Sequence, residues 1–322
     1  MAVAVVTGAA GFIGSSLSTR LLDEGIRVRG IDNFDPYYDR KLKERNLRPL
    51  LARDTFEFRE GDLGEIDLNR LLQGAEWVFH QAARAGVRRS WGADFSAYVK
   101  ANVLATQRLL EALREHPVER VIFASSSSVY GEGPGGPATE DAPCQPISPY
   151  GVTKLAGEKL VAAYRECYGL PTISLRYFTV YGPGQRPDMA FHRFVRAILE
   201  GRGLEVFGDG RQTRDFTFIA DAVSANLLAA RNGVPGGVYN IGGGSPASVL
   251  DVIHTLEAII GRGAEVCFLP AEAGDPRATS ADTAKARDEL GFQPTVSLEE
   301  GLRQMTGWMS QLLQDPSFGN RH

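Results

Sequence analysis

The segment from Ala2 to Asp32 leaves the chain few choices. A β-branched run, Val3-Ala-Val-Val-Thr7, meets Gly8, Gly11 and Gly14 at three-residue intervals; an amphipathic stretch and a second apolar run ending at Ile31-Asp32 follow. Glycines at 8 and 11 permit a sharp turn and close backbone approach, and Gly14 lets a helix lie directly on the strand. The free amides where that helix begins, with Phe12 and Ile13 in the same turn, then face a pyrophosphate. Asp32, eighteen residues after Gly14, stands where a carboxylate accepts hydrogen bonds from an adenosine ribose and repels a 2′-phosphate. The segment predicts a dinucleotide site that takes NAD in preference to NADP, with Arg27 and Arg29 the cations that weigh against that preference.

The same alternation continues. Short β-branched runs at 2–7, 26–31, 55–59, 76–81, 119–125 and 171–176 are separated by amphipathic stretches at 12–24, 64–73, 93–115 and 147–168. Strand and helix in alternation require crossover connections, so residues 1–180 are expected to form an α/β domain with a doubly wound parallel sheet. Asp62-Leu63 after the third strand is placed to meet an adenine, and Gln81-Ala82-Ala83 after the fourth to border a nicotinamide. Residues 181–322 are expected to form mainly a smaller α/β lobe for substrate. Its strands fall at 205–208, 214–218 and 237–241 and its helices at 189–201, 220–231, 247–261 and 297–313, part of 220–241 returning to the large sheet. Ligands of open sheets bind at the carboxyl edge that this lobe would cover.

Composition narrows the function classes. Apolar residues make up 43% and charged ones 23%, enough to bury a sizeable core. No run of eighteen apolar residues and no leader-like N-terminus is evident, so a cytoplasmic protein without a membrane partner is expected. A net charge of -4 gives no general attraction for nucleic acid. Cys144, Cys167 and Cys267 lack metal or disulfide spacing, and His80 and His192 lack metal-ligand spacing; His80 is expected to be a strand-end packing residue, and no metal site is expected.

Chemistry concentrates in Ser148-Pro-Tyr150-Gly-Val-Thr-Lys154. Ser148 reads as an N-cap and Pro149 as the first helical residue, which puts Tyr150 and Lys154 on one helix face. A phenol of pKa near 10 is a poor base at neutral pH. An adjacent ammonium and a positively charged nicotinamide both favour its phenolate, and Lys154 can also hold ribose hydroxyls.

Together these motifs resemble the extended short-chain dehydrogenase/reductases, within the NAD-dependent nucleotide-sugar epimerase/dehydratase family. The resemblance runs through Thr7-Gly8-x-x-Gly11-x-x-Gly14, Asp62-Leu63, Asn102, Ser126 to Tyr130, Tyr150-x-x-x-Lys154, Arg176-Tyr-Phe178 and Gly208-Asp-Gly210-x-x-x-Arg214-Asp-Phe216. It implies a Rossmann sheet, NAD as cofactor, and a catalytic triad of Ser126, Tyr150 and Lys154. It also adds Asn33, Asn102 and Tyr177 to the cofactor contacts, and a homodimer through the helices at 93–115 and 147–168.

The positions after Ser126 discriminate between reactions. Family dehydratases carry an Asp-Glu pair there and decarboxylases usually a glutamate, whereas this chain has Ser127 and Ser128. Neutral hydroxyls cannot replace a carboxylate in those proton transfers, which leaves 4-epimerisation through a transient 4-keto sugar. Thr179 and Arg186-Pro-Asp-Met-Ala-Phe191 resemble UDP-glucuronate 4-epimerases more than UDP-glucose ones. A UDP-glucose 4-epimerase and a UDP-glucuronate decarboxylase stay open as alternatives. A C6 carboxylate needs donors, for which Ser127, Ser128, Thr179, Arg88, Arg186 and Arg193 are candidates. By the same resemblance, the backbone at Val206-Phe207 would pair with uracil and Arg214 and Arg277 would meet the diphosphate, with Arg211 a further candidate.

Overall fold

The computed structural model describes residues 2–316 and 318. Its first part alternates β1 (Val3–Thr7), α1 (Phe12–Asp23), β2 (Arg27–Asp32), α2 (Arg40–Leu51), β3 (Phe56–Glu60), α3 (Asn69–Leu72) and β4 (Trp77–His80). Next come α4 (Phe95–Val99), a π-helical turn (Lys100–Leu104), α5 (Ala105–Glu115), β5 (Arg120–Ser126), α6 (Pro149–Tyr168) and β6 (Thr172–Tyr177). The remainder holds β7 (Val180–Tyr181), α7 (Ala190–Glu200), β8 (Leu204–Phe207), β9 (Thr213–Arg214), β10 (Thr217–Phe218), α8 (Ile219–Asn232) and β11 (Val238–Ile241). Last are β12 (Ala247–Ser248), α9 (Val249–Ile260), β13 (Val266–Leu269) and α10 (Leu298–Gln314).

Seven strands form one parallel sheet in the order β11-β6-β5-β4-β1-β2-β3. This is the expected doubly wound fold, with β11 returning from the second half of the chain to pair with β6. Alternate residues feed two cores: Ala4, Val6, Phe79 and Ile122 point into one, Val5, Val78, Val121 and Phe123 into the other. Burial on both faces explains why these strands read as near-continuous apolar runs. The strand order reverses between β1 and β4, so a crevice opens at their carboxyl ends.

Several elements differ from expectation. Helix α2 was not foreseen: its sequence, Arg40-Lys-Leu-Lys-Glu-Arg-Asn-Leu-Arg-Pro-Leu-Leu51, is highly charged, and a lysine occupies one of its buried positions, Lys43, Leu47 and Leu50. The stretch 64–73 yields only the short α3, because Asp62 folds the chain before it into a turn; its carboxylate takes the Gly64 amide and its carbonyl those of Glu65 and Ile66. The stretch 93–115 is broken by the π-helical turn, where buried Asn102 leaves the helix to bond Arg84 and Thr153. Strand β13, beside β8, was also unforeseen. Among the described residues no helix is long and apolar enough to cross a membrane.

His80 is more than a packing residue. Thr106 gives its hydroxyl proton to the Asn102 carbonyl, so His80 Nε2–H must donate to Thr106 Oγ1 at 3.0 Å. Nδ1 is then an acceptor for the Thr7 hydroxyl at 2.8 Å, while Thr7 Oγ1 accepts from the Ala82 amide. This one-directional chain spans the β1–β4 switch point and requires a neutral imidazole. Burial, reinforced by nearby Lys154, pushes the His80 pKa down to about 3, and burial takes buried His192 to about 4. The unfolded chain protonates both near 6.5, so their contribution is complete above that pH and declines as pH falls through the window down to 3–4. At pH 5 the loss is about 2 kcal/mol for each histidine. Thermal melts should therefore show a midpoint several degrees lower at pH 5 than at pH 7, and His80→Gln should narrow that gap; an unchanged gap contradicts the assignment.

Candidate active site

The glycine turn leads into α1 with tight tolerances. Gly8 adopts φ +70°, and a Cβ on Gly14 would lie 2.1 Å from the Gly8 carbonyl oxygen. No side chain caps α1 and its first turn holds no acid, so its leading amides are available to an anion. The turn forms one end of a cavity of about 290 Å³ over the switch point. Gly8, Gly11, Phe12, Ile13, Gly14, Asp32, Asn33, Asp62, Leu63, Gln81, Ala82, Ala83, Tyr150, Lys154 and Tyr177 all line it. These residues fit a dinucleotide: uncapped amides for the pyrophosphate, a carboxylate at the end of β2, and a polar far end at Gln81, Tyr177 and Lys154.

Several polar wall residues are held by others. Asn33 donates to Asp62 at 3.1 Å, and Gln81, Asn226 and Tyr177 close a three-way hydrogen-bond ring. Asn102 does not reach the cavity; it donates to the Arg84 carbonyl and to Thr153, and accepts from the Arg84 amide, all within 2.8–2.9 Å. Its amide is fully engaged in tying the loop after β4 to α6, so its role is to position rather than to touch. Arg27 and Arg29 also turn away from Asp32, both toward Glu57 and Arg29 further to the Leu71 and Gln73 carbonyls.

Helix α6 starts as expected, with Ser148 Oγ accepting from the Gly151 amide and Pro149 in the first turn. A Cβ on Gly151 would meet the Ser128 carbonyl oxygen at 2.5 Å, so only glycine lets the helix press against the serine ledge at the end of β5. The contact places the Ser126 hydroxyl near enough to the Tyr150 phenol to favour its ionised form. Burial raises the phenol pKa above its ordinary value; the nearby Ser126 hydroxyl and the Arg186 charge oppose this without cancelling it. Lys154 Nζ lies 4.7 Å from the Phe123 ring centroid, facing the nucleotide cavity.

Burial brings Lys154 down to about 8, partly offset by Glu158 one turn further along α6. Glu158 accepts from Ser125 Oγ at 2.8 Å and from Arg176 Nε at 3.1 Å; Arg176 in turn donates to Tyr130, whose hydroxyl donates to Asn240. This buried network underlies the ledge. Ser127 and Ser128 open the 3-10 turn that follows β5, and the Ser128 amide donates to Ser126 Oγ.

A second cavity, of about 220 Å³, lies beneath β8 and α7 and is lined by Arg88, Thr179, Arg193, Val206, Phe207 and Arg214, together with Gln212 and Asp275. The Arg88 guanidinium sits 4.0 Å from the Phe207 ring centroid, and Asp275 holds both Arg214 at 2.6 Å and Arg88 at 3.8 Å. Arg193 pairs with Glu205. Arg186 lines the first cavity instead, clamped by Asp188 and facing Tyr150. Arg211 and Arg277 reach neither cavity: both are exposed, and Asp209 draws the Arg277 guanidinium and the Arg211 amide to itself. Residues not anticipated from sequence include Tyr37, Tyr38, Lys43 and Arg84 in the first cavity and Gln212 and Asp275 in the second. The signal available for Tyr37 and Tyr38 was an aromatic pair in the loop after β2.

The fold and both cavities define a nucleotide-binding α/β protein with a second, arginine-lined ligand cavity. The chain belongs to the NAD dependent epimerase/dehydratase family, whose pattern it matches over residues 4–242. It is 48% identical over 314 residues to an uncharacterised UDP-glucose epimerase of Bacillus subtilis, covering 96% of this chain and 98% of the other. A UDP-glucuronate 4-epimerase of Thermodesulfobacterium geofontis is 38% identical over 315 residues, with 96% and 97% covered. A Bacillus cereus UDP-glucuronic acid 4-epimerase, solved with UDP-glucuronic acid and NAD, superposes with a TM-score of 0.94 at 46% identity, over 97% of this chain and all of that one.

The depressed Lys154 pKa carries a stability cost. Between pH 8 and 10.5 the folded protein binds fewer protons than the unfolded chain, so stability from this group rises across that window; at pH 7 the ammonium costs about 3 kcal/mol. Lys154→Met is expected to raise the melting temperature at pH 7 while lowering turnover at least 100-fold. A lower melting temperature contradicts the cost.

Proposed function

We propose that the chain is a UDP-glucuronate 4-epimerase in which Tyr150 is the acid/base residue at C4. One observation carries the reading: the Ser126–Tyr150 hydroxyl pair adjoins a ledge that continues as Ser127 and Ser128, with Arg186 facing the same phenol. NAD, when bound, supplies a hydride acceptor and donor for C4 and a positive charge that favours the phenolate. Tyr150 takes the 4-hydroxyl proton and returns it to the inverted product, while Ser126 orients the phenol and Lys154 holds ribose hydroxyls. The turn hydroxyls of Ser127 and Ser128, with Thr179 and Arg186, hold the C6 carboxylate.

The carboxylate clamp has a chemical purpose. Oxidation at C4 makes a β-keto acid, which loses carbon dioxide when its carboxylate swings across the carbonyl plane. Fixed donors oppose that rotation. The two positions after Ser126 carry hydroxyls in place of the carboxylates that would protonate or deprotonate neighbouring carbons, which disfavours dehydration. The uridine diphosphate end occupies the second cavity, where Arg88 and Arg214 offer guanidinium forks and β8, paired on one side with β13, presents its other edge to a pyrimidine.

Incubation of the purified protein with UDP-glucuronate should give UDP-galacturonate with little UDP-pentose, and UDP-glucose should turn over at least 100-fold more slowly. Equal use of UDP-glucose contradicts the carboxylate clamp, and pentose as the main product contradicts epimerisation.

The exposed apolar side chains of Trp91, Phe95, Leu104 and Val152 cluster around α4, the π-helical turn and α6. We propose that a second copy of the chain covers them. Sedimentation should give twice the 35.0 kDa chain mass, and Leu104→Glu should shift it toward the monomer; a monomeric wild type contradicts this.

A further inference from the structure

Asp32 is not a bare carboxylate. Its Oδ1 accepts from the Phe34 amide at 2.8 Å and from the Lys43 ammonium at 3.0 Å, and its Oδ2 accepts from the Ala10 amide at 3.2 Å. A carboxylate has about four acceptor positions, so about one remains, on Oδ2. Lys43 is equally hidden: Lys43 and Asp32 are 7% and 6% exposed, yet both line the first cavity. One ammonium proton goes to Asp32, and among the described residues no other acceptor takes the remaining two. Helix α2 fixes this placement, starting from its Asp39 cap, and the Tyr38 ring stands 5.4 Å away.

A buried ion pair is a poor device for stabilising a fold, since well-packed apolar residues do as well or better. Its position in the wall of a nucleotide cavity suggests another purpose. We propose that Lys43 and Asp32 act as one reader of the adenosine ribose diol, in which one hydroxyl donates to the remaining Asp32 acceptor and the other accepts from Lys43. The pair is electrically neutral, so Asp32 repels a 2′-phosphate less than an unpaired carboxylate would. Lys43 is held from such a phosphate only by its bond to Asp32. Nucleotide selectivity is then a property of the pair.

This inference rests on the family's NAD dependence and is independent of the sugar turned over. Its test is calorimetric titration of NAD and NADP into the full-length protein freed of nucleotide. Lys43→Met should weaken NAD at least tenfold. Asp32→Asn should raise the NADP-to-NAD affinity ratio at least tenfold by releasing the ammonium, and Asp32→Asn/Lys43→Met should abolish that gain. The double variant leaves no buried charge unpartnered, which guards against a folding defect in the single one. NAD affinity within twofold of wild type in Lys43→Met, or a NADP gain that survives in the double variant, overturns the proposal. Failure of the wild type to bind NAD would instead contradict the cofactor assignment.

Discussion

The site is organised around a cation placed where water is scarce. Lys154 is buried between α6 and the centre of the sheet, against the Phe123 ring, and its charged form is held at a thermodynamic loss. Such a group persists only if its surroundings are fixed on every side. Glu158 follows it on α6, Arg176 from β6 closes on Glu158, and Ser125 from β5 completes the set. Two strands and one helix are thus tied together directly under the cavity floor. Tyr150 stands one turn before the lysine on the same helix, so what fixes one fixes the other.

The run of four serines follows from this arrangement. Ser125, last to point inward, satisfies Glu158; Ser126 turns toward Tyr150; Ser127 and Ser128 leave the strand and enter the 3-10 turn. A strand alternates its side chains, so neighbouring hydroxyls serve opposite faces. One face maintains the buried network, and in the proposed reaction the other faces the sugar. Gly151 then sets how near the ledge approaches the phenol, because any larger residue would push Ser128 away.

Much of this was legible because it is local. The glycine turn, Asp32, the Ser148 cap and the Tyr150–Lys154 spacing are short patterns with few structural solutions, and β-branched runs buried on both faces announce themselves. What escaped depends on partners distant in sequence. Helix α2 hides its apolar stripe behind Lys43, whose burial makes sense only once Asp32 lies opposite. Asn102 looked like a cofactor contact because its motif is near the site, but Arg84 and Thr153 consume its hydrogen bonds. Arg211 and Arg277 shared the sequence character of Arg214, and only the fold reveals that Asp209 claims the turn around them while Asp275 keeps Arg214 at the cavity. Arginines are distinguished by their neighbours rather than by their spacing.

In the proposed reaction one phenol, at position 150, performs the proton transfer at C4 while burial and the Ser126 hydroxyl set its readiness. Replacing Tyr150 by Phe removes only that oxygen. Tyr150→Phe is expected to retain its fold and bind both UDP-glucuronate and NAD, yet to interconvert the two UDP-hexuronates at least 1,000-fold more slowly, roughly the scale of a positioned acid/base group. Interconversion at the wild-type rate would contradict that role for the phenol.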